Sequence, residues 1–236
     1  LWSDNGTGSV TGSTYSTGSI GSNENVTVTY TIQNGACTSS ANATFLVNAN
    51  PTATASTSTA TVCEDATLSL TGSASGGSGS GYGYTWSGPS SYTSSDQSPT
   101  ISVDATTAMA GSYLLTVTDG NSCSSASSST SITVNQNPTV TVGSALSAIC
   151  QSGTSAAMGS SVSGGATGGT WTGGAGSWTS ATDLTNATYT AGASESGSIT
   201  LTLTTSGGSC GNTSDTKNIT VNQNPTVTVG SALSAI

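Results

Sequence analysis

The stretch ITVNQNPTVTVGSALSAI occupies residues 132–149 and recurs letter for letter at residues 219–236, 87 positions later. Within it, Thr alternates with Val, which is the period-two pattern of a strand with one buried face. Other segments alternate in the same way: NVTVTYTI at 25–32, ATLSL at 66–70, SYLLTVT at 112–118 and SITLTLTT at 198–205. Gly, Ser, Asn and Asp crowd the gaps between these segments, and no segment shows the apolar spacing of a helix. The pattern predicts an all-β protein.

The 87-residue offset extends beyond the identical stretch. It relates Cys63 to Cys150 and Cys123 to Cys210, while Cys37 precedes Cys123 by 86 residues and Trp86 precedes Trp171 by 85. Three Asn-Pro pairs keep the same spacing, at Asn50-Pro51, Asn137-Pro138 and Asn224-Pro225. A fixed period with landmarks in register indicates tandem domains, and 87 residues suit one small β-sandwich.

This period predicts four segments. Residues 1–51 would be the C-terminal half of one domain, 52–138 and 139–225 two complete domains, and 226–236 the first strand of a further domain. The repeated stretch would then be a junction, with each Asn-Pro pair as a hinge between a last strand and a first strand. Because proline fixes φ and holds the preceding residue extended, we expect short, semi-rigid hinges and similar angles between successive domains. Recent duplication without mechanical meaning is the alternative explanation.

Each complete domain carries the order Cys, Trp, Cys. About seven short strands in this order indicate an immunoglobulin-like sandwich, in which Trp86 and Trp171 would supply much of the core. The segment AGSYLLTVTDG at 110–120 is typical of the sixth strand, with Tyr113 as a corner tyrosine. Ile199 occupies the equivalent position of the next domain.

Two long segments carry a family resemblance. YTWSGPSSYTSSDQSPTISVDATTAMAGSYLLTVTDGNSCSSASSSTSITVN at 84–135 resembles the PKD-like and Ig-like tandem repeats of giant Bacteroidota cell-surface adhesins and filaments. GGTWTGGAGSWTSATDLTNATYTAGASESGSITLTLTTSGGSCG at 168–211 resembles a second variant of these repeats. The resemblance covers nearly the whole chain. It implies a bacterial protein that is exported, often by the type IX secretion route, and that works as a gliding adhesin or a surface filament.

The cysteines favour an oxidising, extracellular compartment. The preferred pairing joins Cys63 to Cys123 and Cys150 to Cys210, and it leaves Cys37 to pair outside this sequence. However, Cys63 precedes the second strand and Cys123 follows the sixth, so an immunoglobulin topology would place them at opposite ends of the sandwich. A bond between neighbouring domains, Cys63 to Cys210, is therefore the alternative.

Composition excludes several classes of function. One basic residue, Lys217, stands against ten acids, the chain has no His, and the net charge is −9. Binding to nucleic acid or to an anionic membrane surface needs clustered Lys and Arg, and no apolar run is long enough to embed the chain in a membrane. No serine has a histidine to activate it, so we predict no enzymatic activity and no cofactor.

Calcium is a weaker expectation. Glu64-Asp65 and Asp119-Gly120-Asn121 could contribute oxygens, but Asp-Gly-Asn is also ordinary turn chemistry and the acids are not clustered as in a calcium loop.

The sequence therefore predicts a rod-like structural repeat segment of an extracellular filament or cell-surface adhesin. Its partners would be neighbouring copies or domains of the same filament, with surface glycans or proteins as further candidates. One alternative is a fibre subunit that polymerises by strand donation, although the first half-domain lacks its second strand. Another is a carbohydrate- or protein-binding module that uses Trp178, Tyr82 or Tyr92. Trp178 has no counterpart in the preceding domain, and extra core packing is the competing explanation for it.

Overall fold

The computed structural model describes residues 1–11, 14–17 and 20–230. The regular structure of these residues is almost entirely β, interrupted by two short 3-10 turns at Pro89–Ser91 and Thr107–Met109. The chain divides into two compact units, unit 1 with residues 1–134 and unit 2 with residues 135–236.

The first segment of unit 1 is an open antiparallel sheet. Its strands are β1 (Trp2–Asp4), β2 (Ser9–Thr11), β3 (Thr14–Ser16), β4 (Glu24–Asn34) and β5 (Cys37–Val47). The sheet order is β1-β4-β5, and β2 pairs with β3 as a separate hairpin. The β2–β3 hairpin packs on this sheet, where the ring of Tyr15 lies against that of Phe45, and Val26 and Val28 of β4 are buried. Trp2 is 42% exposed, although its ring packs against Tyr30.

The rest of unit 1, together with Asn135 at the start of unit 2, is a two-sheet sandwich. Its strands are β6 (Pro51–Thr57), β7 (Thr61–Cys63), β8 (Leu68–Gly76), β9 (Gly83–Gly88), β10 (Tyr92–Ser94), β11 (Thr100–Ser102), β12 (Gly111–Thr118) and β13 (Ser128–Asn135). One sheet has the order β10-β9-β12-β13-β7 and the other has the order β11-β8-β6.

Alternation along the strands builds the core of this sandwich. Tyr113, Leu115 and Val117 of β12 point inward and are fully buried, while the residues between them face outward. Trp86 of β9, paired with Leu115, is also fully buried. The inward rows of the two sheets therefore fill one core, as period-two patterning requires.

Unit 2 is built on a similar plan, although its strands form one four-stranded and two two-stranded sheets. Its strands are β14 (Thr139–Thr141), β15 (Ile149–Cys150), β16 (Ser161–Ser163), β17 (Gly168–Gly173), β18 (Ser177–Thr179), β19 (Thr188–Thr190), β20 (Gly197–Ser206) and β21 (Ser214–Asn222). The main sheet has the order β15-β21-β20-β17, and β14-β16 and β18-β19 form two-stranded sheets. Trp171, Leu201 and Leu203 are buried in the centre.

The architecture confirms the predicted fold class, an all-β chain of tandem immunoglobulin-like sandwiches. The strand bounds follow the repeat to within one residue, because β6 begins at Pro51 and β14 begins at Thr139, one residue after Pro138. One predicted strand differs. Residues 223–230 have no regular secondary structure, since no strand of the described residues pairs with them, and residues 231–236 lie outside the described residues. The four-segment division stays a prediction.

Candidate functional site

Tyr113 ties the start of its own strand to the preceding 3-10 turn. Its ring is fully buried beside Tyr92, and its hydroxyl donates to the carbonyl oxygen of Met109 at 2.8 Å. Burial raises the pKa of Tyr113, so the phenol stays a neutral donor. This is the geometry of a tyrosine corner, and it uses the hydroxyl for structure.

Asp119 fastens the loop between β8 and β9 to the turn between β12 and β13. One carboxylate oxygen accepts from the N–H of Ser78 at 2.7 Å, and the other accepts from Asn121 at 3.0 Å and Cys123 at 2.9 Å. Burial favours the neutral acid, but these hydrogen bonds outweigh burial and lower the pKa of Asp119. A side chain at Gly77 would collide with the carboxylate, which explains the glycine there.

This arrangement leaves the calcium expectation without a supporting cluster. Both oxygens of Asp119 already accept backbone hydrogen bonds. Among the described residues, no group of three His, Cys, Asp or Glu side chains is placed to hold a metal ion. Glu64 and Asp65 follow β7, and each interacts with another group of the protein. A calcium site therefore remains an untested proposal.

Trp178 is part of an aromatic cluster on the core of unit 2. Its ring stacks on Trp171 with centroids 5.6 Å apart and lies 5.2 Å from the ring of Tyr189. Its indole N–H donates to the carbonyl oxygen of Gly173 at 3.2 Å. One face and the only polar atom of Trp178 are thus used within the domain, which favours packing over ligand contact.

Glu195 anchors the glycine-rich loop beside this cluster. Its carboxylate accepts from the hydroxyl of Tyr189 at 2.5 Å, from the N–H of Ala175 at 2.8 Å and from the N–H of Gly192 at 2.9 Å. Burial alone would raise the pKa of Glu195, but the three donors lower it. Glu195 is 9% exposed and both of its carboxylate oxygens accept hydrogen bonds, so neither oxygen is free for catalysis.

Lys217, the single basic side chain, is buried in β21. Its ammonium nitrogen donates to the carbonyl oxygen of Met158 at 2.8 Å and lies 5.8 Å from the centre of the Trp171 ring. Burial lowers the pKa of Lys217, since removal from water penalises the charged form. Position in the strand predicts this burial, because Lys217, Ile219 and Val221 share one face in period two. Asp119 and Glu195 lie in loops, where no comparable periodic signal exists.

The outward faces of the strands are covered with hydroxyls that bond one another. Thr27 and Thr44 are cross-strand partners with hydroxyl oxygens 3.0 Å apart, and Thr31 and Ser40 repeat the arrangement at 3.1 Å. Such pairs stabilise a sheet without charge. They explain how a chain with 5% charged residues keeps a polar surface.

The junction residues behave alike at the two complete domains. Pro51 and Pro138 are both buried at the start of their domains, whereas Asn224 and Pro225 are exposed. Asn224 nevertheless contacts Gln151, whose side-chain oxygen accepts from its N–H at 3.1 Å. Asn50 is exposed, and the carbonyl of Asn137 lies against Gly164, where only a glycine leaves room. The proposal that these hinges are semi-rigid stays untested.

The cysteines correct the preferred pairing. Cys63 and Cys210 are disulfide-bonded, whereas Cys37, Cys123 and Cys150 carry free thiols. Neither Cys63–Cys123 nor Cys150–Cys210 is therefore formed.

The reason is distance within each domain. Ala60, just before β7, accepts from Thr133 near the C-terminal end of β13, whereas Cys123 lies in the turn before β13 begins. In unit 2, Cys150 pairs with Asn222 at the end of β21, and Cys210 lies before that strand begins. Eight or nine strand residues span roughly 25–30 Å, and a disulfide needs Cα atoms within about 7 Å. Pairing of Cys63 with Cys210 stays a prediction for peptide mapping under non-reducing conditions.

No helix among the described residues has the length and apolar character needed to span a membrane. No protein-family model and no curated protein matches the chain.

Several solved structures resemble it weakly. The chain aligns with an amphioxus IgVJ-C2 molecule at 20% identity and a TM-score of 0.32, over 46% of this chain and 59% of that one. It aligns with the I67–I69 fragment of titin at 13% identity and a TM-score of 0.44, over 86% and 75%. It aligns with the eight N-terminal Ig domains of Down Syndrome Cell Adhesion Molecule at 13% identity and a TM-score of 0.49, over 85% and 28%. This chain thus spans less than two thirds of the amphioxus and cell-adhesion chains. Similarity at this level carries no inference about binding or activity.

Proposed function

We propose that this chain is a repeat segment of an extracellular filament or a giant cell-surface adhesin, in which tandem Ig-like domains act as a rod-like spacer without catalysis. The observation that carries the proposal is the contrast between junctions and interiors. The 18 junction residues are identical at 132–149 and 219–236, whereas the domain interiors beside them differ.

The interiors differ in residues that matter for packing. Tyr113 closes a corner in the first complete domain, while Ile199 takes its place in the second, where Tyr189 and Glu195 make a different tie. Recent duplication of a whole unit would have left these interiors as similar as the junctions. Retention of the junction alone supports a geometric role for it, as in a rod built from regularly joined domains.

The polar groups support a non-catalytic role. Asp119, Glu195 and Lys217 are each buried and hydrogen-bonded within their own domain. A general base or a nucleophile needs a free, activated group facing a substrate. These three groups instead stabilise loops and core.

The finer assignment rests on the resemblance of residues 84–135 and 168–211 to Bacteroidota surface repeats. We extend the proposal to a bacterial surface protein exported by the type IX route. The cysteines agree with an oxidising compartment outside the cell.

Immunogold labelling of intact producing cells tests the proposal. Antibodies against the repeated junction stretch, residues 132–149, should decorate filaments outside the cell along their length, because that stretch recurs at 219–236. Antibodies against an unrelated cytoplasmic protein of the same cells serve as the control. Label that appears only after the cells are permeabilised would overturn the proposal.

A denaturing, reducing gel of the native material measures the mass of the whole polypeptide. A band of hundreds of kilodaltons is expected for a giant adhesin. A band near the 22.7 kDa of these residues would instead indicate a filament of small subunits.

A further inference from the structure

The five cysteines fall into two structural classes. Cys63 and Cys150 are the last residues of β7 and β15, each an edge strand of its sheet, and we call them edge-strand cysteines. Cys37, Cys123 and Cys210 lie in or directly after the turns β4–β5, β12–β13 and β20–β21, and we call them turn cysteines. The repeat keeps both classes in register.

One member of each class is oxidised. Cys63 and Cys210 are disulfide-bonded, whereas Cys150, Cys123 and Cys37 are free thiols. Because the structural equivalents of the free cysteines are bonded, the free thiols occupy positions that are built to form disulfides.

Turn cysteines lie at the N-terminal pole of their domain. The sulfur of Cys210 is 3.5 Å from the carbonyl oxygen of Asn135, where unit 2 begins. Cys123 is hydrogen-bonded to Asp119, whose carboxylate lies against Gly77 beside the backbone of Pro51, the first residue of β6.

Edge-strand cysteines lie at the C-terminal pole. Cys150 pairs with Asn222, the last residue of β21, and β7 runs beside the end of β13. The two classes of one domain are therefore too far apart to react with each other.

Cys123 and Cys150 each lie at the pole of their own domain that is remote from residues 135–138. Cys150 and Cys37 are exposed, and Cys123 is partly exposed, so reagents and other chains reach them. An edge-strand thiol at the C-terminal pole of one domain can meet a turn thiol at the N-terminal pole of another domain. Such a pairing joins the domains head to tail.

We propose that Cys150 forms a disulfide with a turn cysteine of another copy of this repeat, Cys123 or Cys37 of a second chain or the equivalent residue of a further repeat in the same polypeptide. Head-to-tail disulfides of this kind do not form a closed dimer. They link successive copies into an open linear series. The proposal deepens the filament function, since each bond would secure a junction covalently.

The bond forms by thiol–disulfide exchange with a small-molecule disulfide. The thiolate of Cys150 attacks one sulfur of the small disulfide, its S–S bond breaks, and one small thiolate leaves. The turn thiolate then attacks the sulfur of Cys150 in the mixed disulfide and releases the second small thiolate. Two protein thiols are oxidised and one small disulfide is reduced, and the two protons lost by the protein thiols are taken up by the two departing small thiolates, which become thiols.

The test incubates the full chain with a mixture of oxidised and reduced glutathione and separates it on a non-reducing denaturing gel. We expect a ladder of dimers and higher multimers that collapses to monomer on reduction. Cys150→Ser should abolish the ladder, because Cys150 is the only free edge-strand cysteine here. The double variant Cys37→Ser/Cys123→Ser should abolish it as well, and either single variant should retain dimers.

Ala148→Ser provides the matched control. Ala148 is exposed two residues before Cys150, so this variant alters the same segment without removing a thiol and should keep the full ladder. Because Cys150 is exposed, its serine variant should unfold at the same urea concentration as the wild type, which separates loss of the thiol from loss of the fold.

Mass spectrometry of cross-linked peptides, after digestion with elastase, identifies the bonds. Peptides that join Cys150 to Cys123 or Cys37 support the proposal. Three outcomes would overturn it. The first is a peptide that joins Cys150 to Cys150, and the second is a ladder that persists in the double variant. The third is monomer alone with an internal Cys123–Cys150 bond. On native material, reduction to 22.7 kDa would identify separate chains as the source, and a larger reduced band would identify further repeats. Surface labelling does not depend on these bonds, so the two proposals fail separately.

Discussion

The hydroxyl of Tyr113 makes one hydrogen bond, at a position where the ring has no exposure to solvent. In Tyr113→Phe the ring would still fill the core, but the carbonyl of Met109 would lose its donor. We expect a loss of about 1 kcal/mol in the stability of this domain, typical for one neutral hydrogen bond. Hydrogen exchange of the β12 amides, measured at increasing urea concentration, gives the loss of stability.

Tyr30→Phe is the matched control for that variant. Tyr30 is 42% exposed on the open sheet, so the same chemical change should leave the exchange of β12 unaltered. Equal effects of the two substitutions would contradict a specific role of the Tyr113 hydroxyl.

Lys217 makes the free energy of unfolding of unit 2 depend on pH in the alkaline range. Burial holds the pKa of Lys217 below its ordinary value of about 10.4, so the unfolded state binds more protons than the folded state in the range below 10.4. The free energy of unfolding therefore rises as the pH increases through this range. Lys217→Met should flatten this rise in the range below 10.4.

Urea unfolding at several pH values checks the effect. Thr216→Met places the same side chain at the exposed neighbouring position and should keep the wild-type slope. A slope unchanged in Lys217→Met would show that this ammonium is not the titrating group.

Asp119 acts at the scale of elements, because it fixes a loop to a turn 41 residues away in sequence. An asparagine has only one acceptor oxygen, so Asp119→Asn would leave the N–H of Ser78 facing an NH2 group. We expect faster amide exchange in residues 77–82, while the centre of β12 keeps its protection. Hydrogen exchange with mass detection measures both regions.

Asp183→Asn is the comparison for that variant. Asp183 also accepts backbone hydrogen bonds, from Thr185 and Asn186, but within one local turn. Its substitution should affect only that turn, so long-range loosening in both variants would argue against a special clasp at Asp119.

The elements also show what a sequence can and cannot predict here. The long strands β4, β12 and β20 were predictable because Thr alternates with Val, Leu or Ile and only one of these faces can be buried. The short strands β2, β10 and β18 were not, since three residues carry too little periodicity. The cysteine separation followed from topology alone, and the preferred pairing failed because it set that argument aside.

The polar sites divide in the same way. The alternating pattern of β21 predicts the burial of Lys217, because Ile219 and Val221 lie on the same face of the strand. The ties of Asp119 and Glu195 join loops far apart in sequence, and only the fold brings them to their donors.

At the scale of the whole molecule, the single basic residue also makes the chain resistant to trypsin. The only susceptible bond follows Lys217, in the middle of β21 between β15 and β20, and the side chain is 6% exposed. A protease needs an extended, accessible segment, so cleavage requires unit 2 to open. We expect native chain to survive trypsin and reduced, denatured chain to yield two fragments, residues 1–217 and 218–236.

Trp171→Ala turns this cleavage into a measure of unit 2. Removal of a fully buried Trp costs about 3–5 kcal/mol, which is a large share of the stability of a small domain. Cleavage after residue 217 should therefore accelerate at least tenfold under native conditions. Trp2→Ala is the control, because Trp2 is already 42% exposed in unit 1 and its loss should not change the cleavage rate. Rapid cleavage of the wild type would show that β21 opens without unfolding of the domain, and a rod stiffened by this sandwich would then be untenable.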